Sequence, residues 1–290
     1  MAEEVVHWAD DAQYHAAPID PFGGPKVFLL WMNPDPLGAI AAMCRMYEGK
    51  PTYDLRSITR DERLHYWEQV QKTHLKAPLE SVKLHFFIEG VDRALTHQMV
   101  RQRTAVYAQE SLRFAVKENI KDEVNTPGSV KADNVMQEIW EGAMERIAEA
   151  YTMMVNGGIP AEDARGLLPH ATLTRLHYIT DLRNLIEHSG NRLCTQAQFV
   201  WRAVFLGIVK AIREYHPQHN ANDQNWQCEH IGTSNVFKPV CYELGRCPFT
   251  ASFDRGCTIR ERVDAGRFDL IDEAEFMSDP DAGRTHDESR

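Results

Sequence analysis

The chain has 290 residues, 43% hydrophobic and 26% charged, enough to bury a full core in one large domain or two small ones and incompatible with disorder throughout. Lys and Arg number 32 against 42 Asp and Glu, a formal charge of −10 that argues against a general nucleic-acid coat protein and confines any basic site to a local cluster. No window approaches the roughly 18–20 uncharged apolar residues that span a bilayer. The start, MAEEVVHWADDAQ, is acidic where a signal peptide is basic and then apolar, so a cytoplasmic protein without membrane or nucleic-acid partners is expected.

In chain order, Lys26 to Met32 (KVFLLWM) is an apolar run between Gly-Gly-Pro and Asn-Pro-Asp-Pro and predicts a buried strand. Helices are expected from Leu37 to Tyr47 and from Asp61 to Thr73. After Pro78, Val82, Leu84, Phe86 and Ile88 alternate with Ser81, Lys83 and His85, the pattern of a strand with one buried face. From Gly90 the period turns helical through Val91, Ala94, Leu95 and Met99, leaving Arg101 and Arg103 at or just past a helix end. Asp133 caps the most regular helix, whose Met136, Ile139, Trp140, Ala143, Ile147, Ala150, Tyr151 and Met154 keep helical spacing until Gly157-Gly158. That stripe reads as core, or equally as part of a subunit interface. Leu173 to Glu187 and Leu193 to Tyr215 read as two further long helices, hinged near Ser189-Gly190. The expected class is α+β, a helix-rich domain over 1–215 with a small antiparallel or mixed sheet. A Cys-containing extension over 216–275 and a disordered tail over 276–290 follow.

The densest chemistry lies between Gln98 and Phe114, where Arg101, Arg103 and Arg113 fall within thirteen positions of a strongly acidic chain. Guanidinium forks match phosphate and carboxylate oxygens, so the cluster can serve as a nucleotide site, although surface ion pairs would use the same residues. A second basic series holds Arg165, Arg183 and Arg192. Arg183 and Arg192 are interleaved with apolar positions, and an arginine on a buried face requires an anionic partner, either an internal Glu or a bound phosphate.

Arg101-Gln-Arg103, seven residues, then Ser111 resembles the signature of the flavin-dependent thymidylate synthases, usually Arg-His-Arg, seven residues, Ser. The resemblance runs upstream through Phe87-Ile-Glu-Gly-Val-Asp-Arg-Ala-Leu-Thr-His-Gln98. Downstream it takes in the Ala-Arg-x-x-Leu-Pro of 164–169, Thr180-Asp-Leu-Arg183-Asn-Leu, and Asn191-Arg192-x-x-x-x-Ala197-Gln198, so it covers roughly residues 70–210. It implies that 1–215 is a catalytic domain of a homotetramer with shared active sites. Each site would convert dUMP to dTMP with FAD, using methylenetetrahydrofolate as carbon donor and NADPH as reductant, without a cysteine nucleophile. Carried over by motif position, Gln98, Gln109, Ser111, Arg113, Arg165 and Arg192 hold dUMP. Arg192 and Ser111 stand closest to the chemistry, Ser111 as a hydrogen-bonding partner of the substrate rather than a nucleophile. His74, Arg101, Gln102, Arg103, Asp181, Arg183 and Glu187 would face the flavin.

The sequence departs from the family pattern at Gln102, where the middle His is usual, and at Ala108-Gln109, where Asn-Glu is usual. Asp181 replaces a frequent Asn, and Glu187 occupies a position where Asn or His often meets the flavin, with His188 next to it. The phosphate-binding arginines remain while ring-facing groups differ, which keeps two rivals open: hydroxymethylation of a pyrimidine deoxynucleotide, and a non-catalytic nucleotide-binding relative. Cys194, close to Arg192, reads as a packing thiol on a helix face. Beyond the resemblance, Cys228, Cys241, Cys247 and Cys257 could bind zinc or an iron–sulfur cluster, but contain no Cys-x-x-Cys; buried thiols are the alternative.

Overall fold

The computed structural model of the chain describes residues 24–194, 197–216 and 226–248. Strand β1 (Lys26–Met32) leads into helix α1 (Pro36–Tyr47), and α2 (Arg60–Lys72) precedes the long strand β2 (Lys83–Asp92). Helix α3 (Arg93–Met99) continues directly from β2 and is followed by the short strand β3 (Val106–Gln109). The one-turn α4 (Gly128–Lys131), the long α5 (Asn134–Asn156) and the one-turn α6 (Ala161–Ala164) separate β3 from β4 (Leu173–Asp181), which runs straight into α7 (Leu182–Arg192). Helices α8 (Phe199–Arg213), α9 (Trp226–Thr233) and α10 (Val240–Leu244) complete the described chain.

The four strands form one antiparallel sheet in the order β1-β2-β4-β3. Leu84, Phe86 and Ile88 of β2 and Leu176 and Tyr178 of β4 point into the main core, where they meet Leu37, Ile40, Leu95, Leu182, Leu185, Val204, Phe205 and Ile208 from the helices. Gly90, at φ 73°, permits a bulge between Glu89 and Val91. The bulge breaks the alternation, so Val91 and Asp92 are both buried as the strand turns into α3.

The expected helix from Leu173 to Glu187 is corrected: its first nine residues are strand β4. Leu173, Leu176, Ile179 and Leu182 recur every third residue, but Thr174, Leu176, Tyr178 and Thr180 also alternate, and pairing with β2 on one side and β3 on the other selects the period of two. Ser189 and Gly190 lie inside α7 rather than at a hinge, and the following helix begins at Phe199 after a turn that holds Cys194. Along α5 the end of the stripe is core, Tyr151 being buried with Ile120 and Ala164 and Met154 packing against them, while Met136 and Ile139 are exposed, so the first half of the stripe is not core in a single chain.

Residues past α8 return to the same core through Cys228, Ile231, Phe237 and Tyr242. Gln227, fully buried, accepts a hydrogen bond from the Leu37 backbone N–H at 2.8 Å and donates to Asp35 at 2.9 Å. Asp35 caps α1 and pairs with the buried Arg63 at 2.7 Å. The predicted tail and Cys257 lie outside the described residues. Replacing Gln227 by Leu strands the Leu37 N–H in the core, and unfolding in urea is expected to show a loss of about 1–3 kcal/mol.

Candidate active site

Two βα units organise the site. Asp92 ends β2 and caps α3, accepting from Leu95 N at 2.7 Å; Asp181 ends β4 and caps α7, accepting from Asn184 N at 3.0 Å. Because β2 and β4 run antiparallel, with Lys83 opposite Asp181 and Asp92 opposite Leu173, the two helices start at opposite ends of the sheet. Both pack on the same core, and Tyr107 links their ends, donating to the Met99 carbonyl of α3 at 2.8 Å and lying close enough to Arg192 of α7 to interact electrostatically.

That meeting point gathers much of the signature. Gln98 donates to Gln198 at 2.6 Å. Gln102 is buried, its carbonyl accepting from the hydroxyls of Tyr178 at 2.9 Å and Tyr107 at 3.3 Å, while its amide nitrogen is buried without a partner. Tyr107 has one proton to give and shares it with the Met99 carbonyl, the nearer acceptor at 2.8 Å, and its ring stacks on Tyr178 at 5.4 Å. Burial pushes the Tyr178 hydroxyl up to about 12 and raises that of Tyr107, so both remain protonated donors. Arg192, the last residue of α7, places its guanidinium 5.1 Å from the centre of the Trp201 ring, and its Nε is buried without a hydrogen-bond partner. Burial lowers the Arg192 pKa.

Arg183, on the same helix, is held differently. It pairs with Glu187 at 2.8 Å and Glu80 at 2.6 Å, and those hydrogen bonds raise its pKa. Of the two sources of anionic charge open to these arginines, an internal Glu therefore serves Arg183. Asp181, besides its capping role, pairs with Lys83 at 3.1 Å.

A second group surrounds the loop after β3. Gln109 donates to Thr96 at 3.0 Å and Thr174 at 3.4 Å, and the Ser111 hydroxyl accepts from Arg113 N at 3.4 Å. Arg113 is exposed, 5.2 Å from the ring centre of an equally exposed Phe114. Arg165 donates to the Glu162 carbonyl at 3.0 Å. Arg93 reaches the Glu110 carbonyl at 3.4 Å, and its pKa is lowered by burial and then by the charge of Arg165. Below the loop, buried Lys117 joins Glu110 at 3.2 Å and Glu123 at 2.6 Å, with Arg175 on the far side of Glu110 at 3.3 Å. His74, Arg101 and Arg103 are exposed.

The family model described as thymidylate synthase complementing protein matches residues 28–218. The chain belongs to this family, the flavin-dependent thymidylate synthases. The flavin-dependent thymidylate synthase of Geobacter sulfurreducens is 33% identical over 194 residues, 66% of this chain and 84% of that one. That of Pyrococcus furiosus is 39% identical over 186 residues, 63% and 72% of the two chains. A crystal structure of the Helicobacter pylori flavin-dependent thymidylate synthase complexed with FAD and dUMP has a TM-score of 0.48 and 15% identity, over 64% of this chain and 92% of its own.

Within the family frame, Arg93, Tyr107, Trp201 and Lys117 are residues that sequence reading passed over. Arg93 stands inside the quoted upstream run and follows the capping Asp92, and that position was a usable signal; Trp201 offered none beyond its closeness to Arg192. Among the described residues no group of three or more His, Cys, Asp or Glu could hold a metal ion, and no helix is long and apolar enough to cross a membrane. Cys228 is a buried thiol 4.0 Å from the Met32 sulfur, its pKa pushed up to about 12 by burial.

His188, one turn before Arg192, has its pKa lowered by burial and then by the charge of Arg192. Its contribution to stability is therefore complete above about 6.5 and is lost as pH falls toward the folded-state value, because the unfolded chain takes the proton first. Urea unfolding between about pH 7.5 and 5.5 should show wild type losing more stability than His188→Gln.

Proposed function

We propose that the chain binds FAD and catalyses reductive methylation of dUMP to dTMP, with methylenetetrahydrofolate as carbon donor and NADPH as reductant. It acts as a cytoplasmic homotetramer with active sites shared between subunits. The observation that carries the reading is Arg192, a half-buried guanidinium at the convergence of α3 and α7 whose Nε has no hydrogen-bond partner. An anionic ligand meeting the exposed part of this side chain supplies the counter-charge that the protein withholds, and dUMP brings both a phosphate and polarised uracil oxygens.

The residues present fit a flavin dinucleotide. Arg101 and Arg103 are two exposed cations on the turn after α3, a donor set suited to a diphosphate, and the buried Gln102 anchors the turn between them through Tyr178 and Tyr107. Arg183 already shares its charge with Glu80 and Glu187, so its free edge suits neutral ring carbonyls better than phosphate. His74, Asp181 and Glu187 complete the proposed flavin contacts. When bound, the reduced flavin supplies the hydride that methylation consumes.

Gln98 and Gln109 present amide groups, Ser111 a hydroxyl, and Arg113 and Arg165 cations to the nucleotide. Arg192 is the group best placed to stabilise negative charge growing on the pyrimidine, since a partly desolvated guanidinium acts more strongly there than in water. The exposed Met136, Ile139 and Met153 on α5 support a subunit contact along that helix.

Anaerobic incubation of the protein with dUMP, methylenetetrahydrofolate, FAD and NADPH, followed by mass spectrometry of the nucleotide, tests the proposal. A product heavier by one CH2 unit is expected; a hydroxymethyl product or unchanged dUMP overturns it. Arg192→Met is expected to lower kcat by about 10²–10³-fold, the loss typical of a donor aimed at developing charge. Arg113→Met should instead act chiefly on KM for dUMP.

A further inference from the structure

The two arginines of α7 receive opposite treatment. Arg183 lies between two carboxylates, 2.6 Å and 2.8 Å away, and its charge is largely cancelled. Arg192 meets the face of Trp201, 5.1 Å to the ring centre. A π face attracts a guanidinium while leaving its net charge intact, which a carboxylate would not.

Trp201 is well suited to hold something still. It is 1% exposed, belongs to the first turn of α8, and packs at 6.4 Å against Phe205, one turn further on. The other named neighbours of Arg192 are uncharged at neutral pH. Tyr107 keeps its proton and donates it to the Met99 carbonyl, and His188, one turn back on α7, has its charged form disfavoured by burial. Arg192 Nε is buried without a partner, while the side chain as a whole is only half-buried, so the guanidinium is held on one face with its charge unpaired.

We propose that Trp201 is a positioning residue for the substrate, holding the Arg192 guanidinium by its π face with its charge free to meet the nucleotide. The inference rests on the reading of Arg192 as a dUMP ligand. An aliphatic side chain at 201 would fill the space but leave the guanidinium plane free to turn, and that freedom would have to be surrendered on binding. A carboxylate in the same place would compete with the substrate for the donors.

Calorimetric titration of dUMP into the full-length, FAD-loaded protein tests the proposal with Trp201→Met, Trp201→Tyr, Trp201→Phe, Arg192→Met and the Trp201→Met/Arg192→Met double variant. Trp201→Met is expected to weaken binding about tenfold, within the range of a partly desolvated cation–π contact, and Trp201→Tyr to recover most of it. In the Arg192→Met background the same Trp201 change should have almost no further effect, a coupling that general loosening of the core would not produce. Should Trp201→Met fail to fold, the aromatic series decides: wild type binding more tightly than Tyr and Phe supports the proposal, and equal affinity overturns it. Full additivity of the two single losses also overturns it. Wild type that binds dUMP while the Trp201 variants bind equally well removes Trp201 alone. Wild type that binds no dUMP removes the substrate reading and this inference with it.

Discussion

The antiparallel pairing of β2 with β4 is the constraint on which the molecule is arranged. Each strand ends in an aspartate that caps the next helix, Asp92 for α3 and Asp181 for α7, so a single ladder fixes where both helices begin. Opposite starting points on one sheet oblige the helices to converge if both are to cover the same apolar face. Convergence brings the Gln98–Arg103 segment and Arg192, far apart in sequence, to one place. The bulge at Gly90 serves the same end, since it lets the last two residues of β2 turn inward and sets the cap in position.

Around that frame the chain sorts its cations. Lys117 is buried, and its charge is absorbed by Glu110 and Glu123, which ties the loop carrying Ser111 to the segment after it. Arg63 is likewise absorbed by Asp35 in the core between α1 and α2. Removing one partner from such a pair leaves a stranded charge, so these contacts fix geometry more than they add net stability. Arg192 is the contrast, met by an aromatic face and by neutral neighbours. In a protein with a net charge of −10, keeping carboxylates away from one half-buried arginine is a definite arrangement of side chains rather than an accident of composition.

Much of this was legible before any coordinates. The apolar run of β1, the alternation in β2 and the cap at Asp133 each follow a single period, and the structure keeps all three elements. Leu173 to Asp181 was misread because its leucines satisfy a helical spacing and its threonines and tyrosine a strand spacing at once; only the strand partners decide between them. The strand β3, Val106–Gln109, lies inside the arginine-rich motif and is only four residues long, too short for its alternation to stand out in the sequence. For the site, the motif order named the arginines, but spacing could not tell that Arg183 would find Glu80, more than a hundred positions away, whereas Arg192 would find an indole. Such partners belong to the tertiary fold and leave no local trace.

Gln102 shows how a departure from a family pattern can alter the protonic character of a site. Its carbonyl is the common acceptor of two tyrosine hydroxyls that burial holds in their neutral form, and its amide nitrogen has a hydrogen left to give. An amide neither gains nor loses a proton across the physiological range, whereas an imidazole at that position would titrate there. The turn between α3 and β3 is therefore electrically constant, a polar joint without a proton reservoir. Any acid or base that turnover draws on must come from elsewhere in the pocket or from the bound molecules themselves.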